Sequence, residues 1–282
     1  MNHGRRLALQ SIAALLLPTG TRAQLAGAEV RFGVVPYLQV RQLVALYQPV
    51  ADRAAAVLGR PAQVYTTPDF ERFIDTARRG DFDLVGVSAH FARILQREEA
   101  FLPLARAAAP LASVILVPRD APTQSLADLR RRRVAVSDPL ALHVLMALRH
   151  LRDAGLKPGV DVTLVPSGSQ GNAITRMSLG EADAAIGSII TIKQLRPELQ
   201  AATRVLSAAP IALTPLAYMA HPRLKAQGPA LREALLSFPA KPEGRRMVEA
   251  ARHENIVPLT EPELQGLDGA VTEYYRQRAL MR

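Results

Sequence analysis

Ser167-Gly168-Ser169-Gln170-Gly171-Asn172 is the run of residue types in this chain best suited to chemistry on a small ligand. Its glycines let backbone N–H groups turn toward a bound group, and its serine hydroxyls add donors without bulk. The run misses the nucleophile pattern Gly-x-Ser-x-Gly by one residue, because Ser167 stands where the first glycine belongs. No Gly-Lys-Ser or Gly-Lys-Thr phosphate loop occurs. The histidines are His3, His90, His143, His150, His221 and His253. His143 and His150 share a helix face two turns apart, too far to ligate one ion together, and no His-Glu-x-x-His accompanies them. The chain has no cysteine, which excludes disulfides, thiolate metal sites and cysteine catalysis. The expectation is binding without catalysis, with no metal and no cofactor.

Four further loops carry groups of the same kind: Pro36-Tyr37, Ser88-Ala89-His90, Ser137-Asp138-Pro139 and Gly187-Ser188. Each follows an apolar run that reads as a strand. In open α/β sheets, ligands sit beyond the carboxyl ends of the strands. The helix N-termini there expose unpaired N–H groups that suit an oxyanion. For any one of these loops plain helix capping is the better explanation, and only their joint occurrence at one end of both halves points to a ligand. Tyr37 either walls the pocket or packs on its own helix. His90 either contacts ligand or caps and packs. Asp138 either caps or accepts a proton from the ligand. The candidate ligand-binding residues are Tyr37, Ser88, His90 and Ser137, with Asp138, Ser169 and Gln170.

The elements that must position these loops alternate. Val30–Val35 reads as a buried strand closed by Pro36, and Gln39–Leu58 as an amphipathic helix ended by Gly59. Strand Ala62–Thr66, a helix capped by Asp69, strand Leu84–Val87 and helix Ala89–Gln96 complete a βαβαβα unit. The pattern repeats: strand Arg133–Ser137, helix Leu140–Ala154 opened by Pro139, strand Val160–Val165, helix Ser169–Leu179 and strand Ala184–Ile186. Ala109-Pro110-Leu111-Ala112 and Ala209-Pro210-Ile211-Ala212 read as two extended crossings between the halves. Lobe 1 is then 29–112 with 214–282, lobe 2 is 113–213, and the cleft between them closes on ligand by a hinge.

The charge balance is 35 Lys and Arg against 25 Asp and Glu, a net charge of +10, which favours an anionic ligand or partner. Residues 1–28 read as an export signal: Arg5 and Arg6, then apolar Leu7–Leu17, then an Ala-x-Ala site ending at Ala28, with Ala23 the alternative. Both Sec and twin-arginine export stay open. Removing the segment takes away Arg5, Arg6 and Arg22 and leaves a net charge of +7. The expected location is the periplasm, which argues against a nucleic-acid partner. The basic run Arg130–Arg133 reads as a solvated loop.

Phe32-Gly33-Val34-Val35-Pro36-Tyr37, Tyr47-Gln48-Pro49-Val50-Ala51, Pro68-Asp69-Phe70 and Gly80-Asp81-Phe82-Asp83-Leu84 occur in that order. Ser125-Leu126-Ala127-Asp128-Leu129, Val134-Ala135-Val136-Ser137-Asp138-Pro139 and Leu179-Gly180-Glu181-Ala182-Asp183-Ala184-Ala185 follow. In these motifs the stretch from Val30 to about Ser188 resembles the phosphate, phosphite and phosphonate substrate-binding proteins of ABC importers. The resemblance implies a type II periplasmic-binding fold, two α/β lobes joined by two crossover strands. It further implies a monomer without catalysis that delivers a small anionic solute to an inner-membrane ABC permease. Two departures stand out. Leu140-Ala141-Leu142 replaces the Ser/Thr-rich turn of the phosphonate binders, and Gln170 replaces their histidine. Both favour a less charged or larger ligand. The rival readings are a periplasmic sensor domain feeding a membrane signalling protein, and an enzyme on the same fold.

Overall fold

Short apolar runs between amphipathic helices build two sheets in this chain, seen in a computed structural model that describes residues 29–193, 195–209 and 214–281. The expected export signal, 1–28, and residues 210–213 of the second expected crossing lie outside the described residues. In chain order the elements begin with β1 Val30–Val34, α1 Val40–Leu58, β2 Ala62–Tyr65, α2 Phe70–Arg78, β3 Leu84–Val87, α3 Ala89–Glu99 and β4 Leu102–Ala107. Then come β5 Ser113–Pro118, β6 Arg133–Val136, α4 Leu142–Asp153, β7 Thr163–Pro166, α5 Gln170–Ser178, β8 Ala184–Ser188, α6 Ile189–Ile192, α7 Pro197–Ala201 and β9 Thr203–Ala208. The chain ends with β10 Ala217–Ala220, α8 Gly228–Leu236, α9 Pro242–Ala250, β11 Ile256–Pro258, α10 Glu261–Gln265 and α11 Asp268–Leu280.

The first sheet runs β11-β4-β10-β3-β1-β2, and the second β7-β6-β8-β5-β9. β1 pairs in parallel with β2 and β3, as β6 does with β7 and β8, which is the outcome of strands joined through helices. The antiparallel members are the returning strands: β10 lies between β3 and β4, and β5 between β8 and β9. Side chains on both faces are covered, so β3 reads Leu-Val-Gly-Val with every residue buried. Phe32, Phe73 and Phe82 fill the centre of lobe 1, the last two stacked at 5.3 Å. The apolar core continues from lobe 1 into the face of lobe 2 that carries α4, while Ala173, Ile174 and Met177 of α5 form a separate cluster on the other face.

Local signals set the element ends. Asp69 accepts the Arg72 N–H at 2.7 Å and starts α2, while Gly59, at φ 64°, ends α1. The fourth helix starts at Leu142 rather than at Leu140. The Asp138 carboxylate accepts the Leu140 N–H at 2.8 Å, and that local turn displaces the first helical residues.

The described ends of the second crossing are bonded to residues that flank the first. Ala209 N–H donates to the Ser113 carbonyl at 2.9 Å, and at the other end the Thr214 hydroxyl donates to the Ala107 carbonyl at 2.9 Å. A further contact joins the lobes where α11 packs on α4. There Glu273, 2% exposed, pairs with Arg152 of α4 and with Arg276 at 2.6 Å.

Candidate functional site

Where the carboxyl ends of both sheets face each other, a cavity of about 560 Å³ opens between the lobes. Lobe 1 lines it with Val35–Val40 and Gln42 at the start of α1, Thr67 and Pro68 ahead of α2, Ser88 after β3, and Ala250, Ala251 and His253 after α9. Lobe 2 lines it with Ala141–His143, with Gly168–Gly171, and with Ser188, Ile190 and Thr191. The crossings add Leu111, Pro215 and Leu216.

Gln170 is held in one orientation. Its side-chain oxygen accepts the Ser188 N–H at 2.8 Å and the Thr191 hydroxyl at 2.7 Å. A backbone N–H only donates, so the oxygen must face β8, and the NH₂ is left to face the cavity. The proton directions then follow along the chain of bonds. The Thr191 hydroxyl spends its proton on Gln170, so Ser188, 3.1 Å away, donates to Thr191 Oγ1 and accepts the Thr191 N–H at 3.3 Å. Ser169 caps α5 by accepting the Asn172 N–H at 3.1 Å. Gly168, at φ 74°, makes the turn into that cap.

On the lobe 1 side, Ser88 lines the cavity and makes no side-chain cap on α3, contrary to expectation, so its hydroxyl is uncommitted to the helix. Tyr37 does both things expected of it. The residue is 41% exposed on the cavity wall, and its hydroxyl meets the Tyr47 hydroxyl at 2.7 Å inside lobe 1. Burial pushes the Tyr37 phenol up to about 12, against the lowering effect of that hydrogen bond. Tyr47 in turn stands 3.4 Å from His253 Nε2. The His253 carbonyl accepts the N–H groups of Ala108 and Ala109 at 3.1 and 3.0 Å, tying this wall to the first crossing. Its neighbours Arg252 and Glu254 both adopt positive φ, 56° and 60°, and hold it there.

Three expected contacts are corrected by the structure. His90 is fully buried and off the cavity wall, its ring 4.2 Å from Phe91 and 5.9 Å from Tyr274. It is a packing residue between α3 and α11, and burial lowers its pKa to about 3. Ser137 stands behind the wall, with its hydroxyl 2.9 Å from Nε2 of His143, and positions that residue instead of the ligand. Asp138 accepts Leu140 N–H in a turn ahead of α4 and, at 3.5 Å, the Phe70 N–H of lobe 1, so it joins the lobes instead of facing the cavity. Burial pushes its carboxyl up against those two bonds.

The wall residues that sequence reasoning passed over include His143, Thr191 and His253, with Gln39, Gln42 and Thr67. Burial lowers His143 and His253 to about 4, so both are neutral at pH 7. Among the described residues, the lining therefore contains no Lys, Arg, Asp or Glu and no charged histidine. No group of three His, Asp or Glu among them could hold a metal ion. The arrangement offers hydroxyl, amide and backbone N–H donors beside apolar surface.

The family described as ABC transporter, phosphonate, periplasmic substrate-binding protein matches residues 32–264. Among solved structures, XAC2383 from Xanthomonas citri bound to chloride ion is 17% identical, with a TM-score of 0.76 over 89% of this chain and 99% of that one. PhnD1 from Prochlorococcus marinus in complex with methylphosphonate is 13% identical, with a TM-score of 0.77 over 88% and 98%. The alkanesulfonate-binding protein SsuA from Xanthomonas axonopodis pv. citri, bound to MOPS, is 20% identical, with a TM-score of 0.60 over 89% and 93%. Among curated protein sequences none matches.

Proposed function

Because the chain belongs to the periplasmic substrate-binding proteins of phosphonate ABC transporters, we propose that it captures a small oxyanionic solute in the interlobe cavity and presents it to an inner-membrane ABC permease. The observation that carries this reading is the cavity itself. It takes walls from both lobes and from both crossings, at the strand ends where helices α3 and α5 begin. Gln170, Ser169, Ser88 and Tyr37 are the proposed ligand contacts, and His143 and Thr191 join them. The hinge lies at the paired crossings, with lobe boundaries near residues 112 and 214. Closure around ligand is the state the permease reads.

The protein works in the periplasm as a monomer, after removal of the export signal in 1–28. No described helix is long and apolar enough to cross a membrane. A family of transporter binding proteins is not a family of enzymes, and the neutral donor-lined wall agrees with capture and release.

A thermal-shift screen of phosphate, phosphite, phosphonates, sulfonates and carboxylates tests the proposal. Ligand at 100 times its Kd stabilises the fold by about 2.7 kcal/mol, a shift such a screen reads easily. A fold that no oxyanion stabilises refutes it.

A further inference from the structure

Charge and volume in the cavity narrow the ligand further. The walls hold no cationic side chain among the described residues, although the whole chain carries 35 Lys and Arg. Oxyanion stabilisation is left to hydroxyls, the Gln170 NH₂ and the N-termini of helices that open on the cavity, α1, α3, α4 and α5 among them, which carry partial charges only. Partial charges spread over neutral donors hold one negative charge more readily than two, because none of them supplies the full counter-charge that a second buried charge needs.

The volume argues in the same direction. A cavity of about 560 Å³ lies in the range of pockets that hold drug-sized ligands and is far roomier than a bare tetrahedral oxyanion needs. Nor are the lobes standing wide apart. The Phe70–Asp138 bond at 3.5 Å and the Arg152–Glu273 pair already join them on the two sides of α4. The remaining wall is apolar: Leu38, Val40 and Leu46 from α1 and its entry loop, Leu111 from the crossing, Leu142 and Ile190 from lobe 2. Leu38 and Val40 are exposed, at 38% and 59%, as free apolar surface at the α1 end of the cavity.

Resting on the solute-binding reading above, we infer that the ligand is amphipathic: a head of one negative charge at the donor groups, carrying an alkyl or aryl body of several carbons against the Leu38–Val40 wall. The departures at Leu140-Ala141-Leu142 and Gln170 are the sequence counterpart of this pocket.

Calorimetric titration of the full mature chain with n-alkanesulfonates and n-alkyl phosphates, from one carbon to eight, tests it. Sulfonates carry one charge, and phosphate monoesters carry close to two above pH 7. The expected result is affinity that rises with chain length, up to about fourfold per methylene, and sulfonates that bind at least about tenfold tighter than phosphates of equal length. The Gln42→Arg variant alters an exposed wall position and places a cation there. It should shift the phosphate-to-sulfonate ratio toward phosphate by about fivefold. Binding that ignores chain length, or equal or tighter binding of the phosphates, overturns the inference and leaves the solute-binding reading standing. Failure of every compound in both series overturns both.

Discussion

Gln170→Glu separates what this side chain does for the fold from what it does for the ligand. The carboxylate keeps an oxygen for the Ser188 N–H at 2.8 Å and the Thr191 hydroxyl at 2.7 Å, so the lobe 2 wall should survive. Unfolding free energy should change by less than about 1 kcal/mol. The NH₂ facing the cavity, however, becomes a second carboxylate oxygen. Losing one donor removes about 0.5–1.5 kcal/mol. A negative charge about 4 Å from an anionic head adds about 4 kcal/mol of repulsion at an effective dielectric of 20. Together these weaken binding by roughly 10³–10⁴-fold. Gln170→Ala should do the reverse in emphasis. It strands the Ser188 N–H and the Thr191 hydroxyl, which lowers stability by about 1–3 kcal/mol, while affinity falls only by the lost donor. Calorimetric titration with the tightest-binding anion and urea unfolding of both variants read the two quantities separately. If Gln170→Glu unfolds normally and binds the anion within tenfold of the parent chain, the assigned amide orientation is wrong.

Glu273→Gln keeps the shape of the interlobe contact but removes its charge, and should lower unfolding free energy by about 1.5–3 kcal/mol. A urea midpoint that does not move would show that the Arg152–Glu273–Arg276 contact contributes nothing. Stability should also fall with acid well before the carboxylates protonate. His90, His143 and His253 have folded pKa values near 3, 4 and 4, below about 6.5 when unfolded, so the unfolded chain binds more protons between pH 6.5 and 4. Each contributes stability that is present above pH 6.5 and is lost at about 1.4 kcal/mol per pH unit on the way down. A flat Tm from pH 7 to pH 5 by scanning calorimetry would contradict that burial. Gly33→Ala should destabilise by about 1–3 kcal/mol, because a Cβ there would come within 2.5 Å of the Phe82 ring. Denaturant unfolding at parent-like stability would mean that Phe82 can move aside.

Strand and helix order in the two α/β units was legible because each apolar run was short and each helix had a clear stop. Leu84–Val87 falls on its expected limits, and α2 starts at its Asp69 cap. β4, β9 and β11 were not legible. β4 carries Pro103 and Arg106, β9 exposes Val205, and β11 is three residues long, so none shows a clean apolar period. At the site, local sequence named loops that do reach the cavity, through Tyr37, Ser88, Ser169 and Gln170. It could not say which side chain of each loop faces inward. Whether His90 points to the cleft or to Tyr274 is decided by α11, more than 180 residues later in the chain. His143 and His253 reach the wall only through tertiary packing, since neither stands in a motif. The neutral lining is likewise a sum over distant segments, invisible to any one of them.

Ala209 bonded to Ser113 and Thr214 bonded to Ala107 fasten the described ends of the second connecting segment beside the first, so that under the proposed hinge the pair would act like a flexure plate. A plate of that kind bends readily across its thin direction and resists shear and twist. With the hinge proposed above, the gap between the lobes would be the main coordinate of their motion. A permease of the kind proposed above would then need to gauge only that gap. Solute chemistry and transporter recognition can then diverge in evolution without either one disturbing the other.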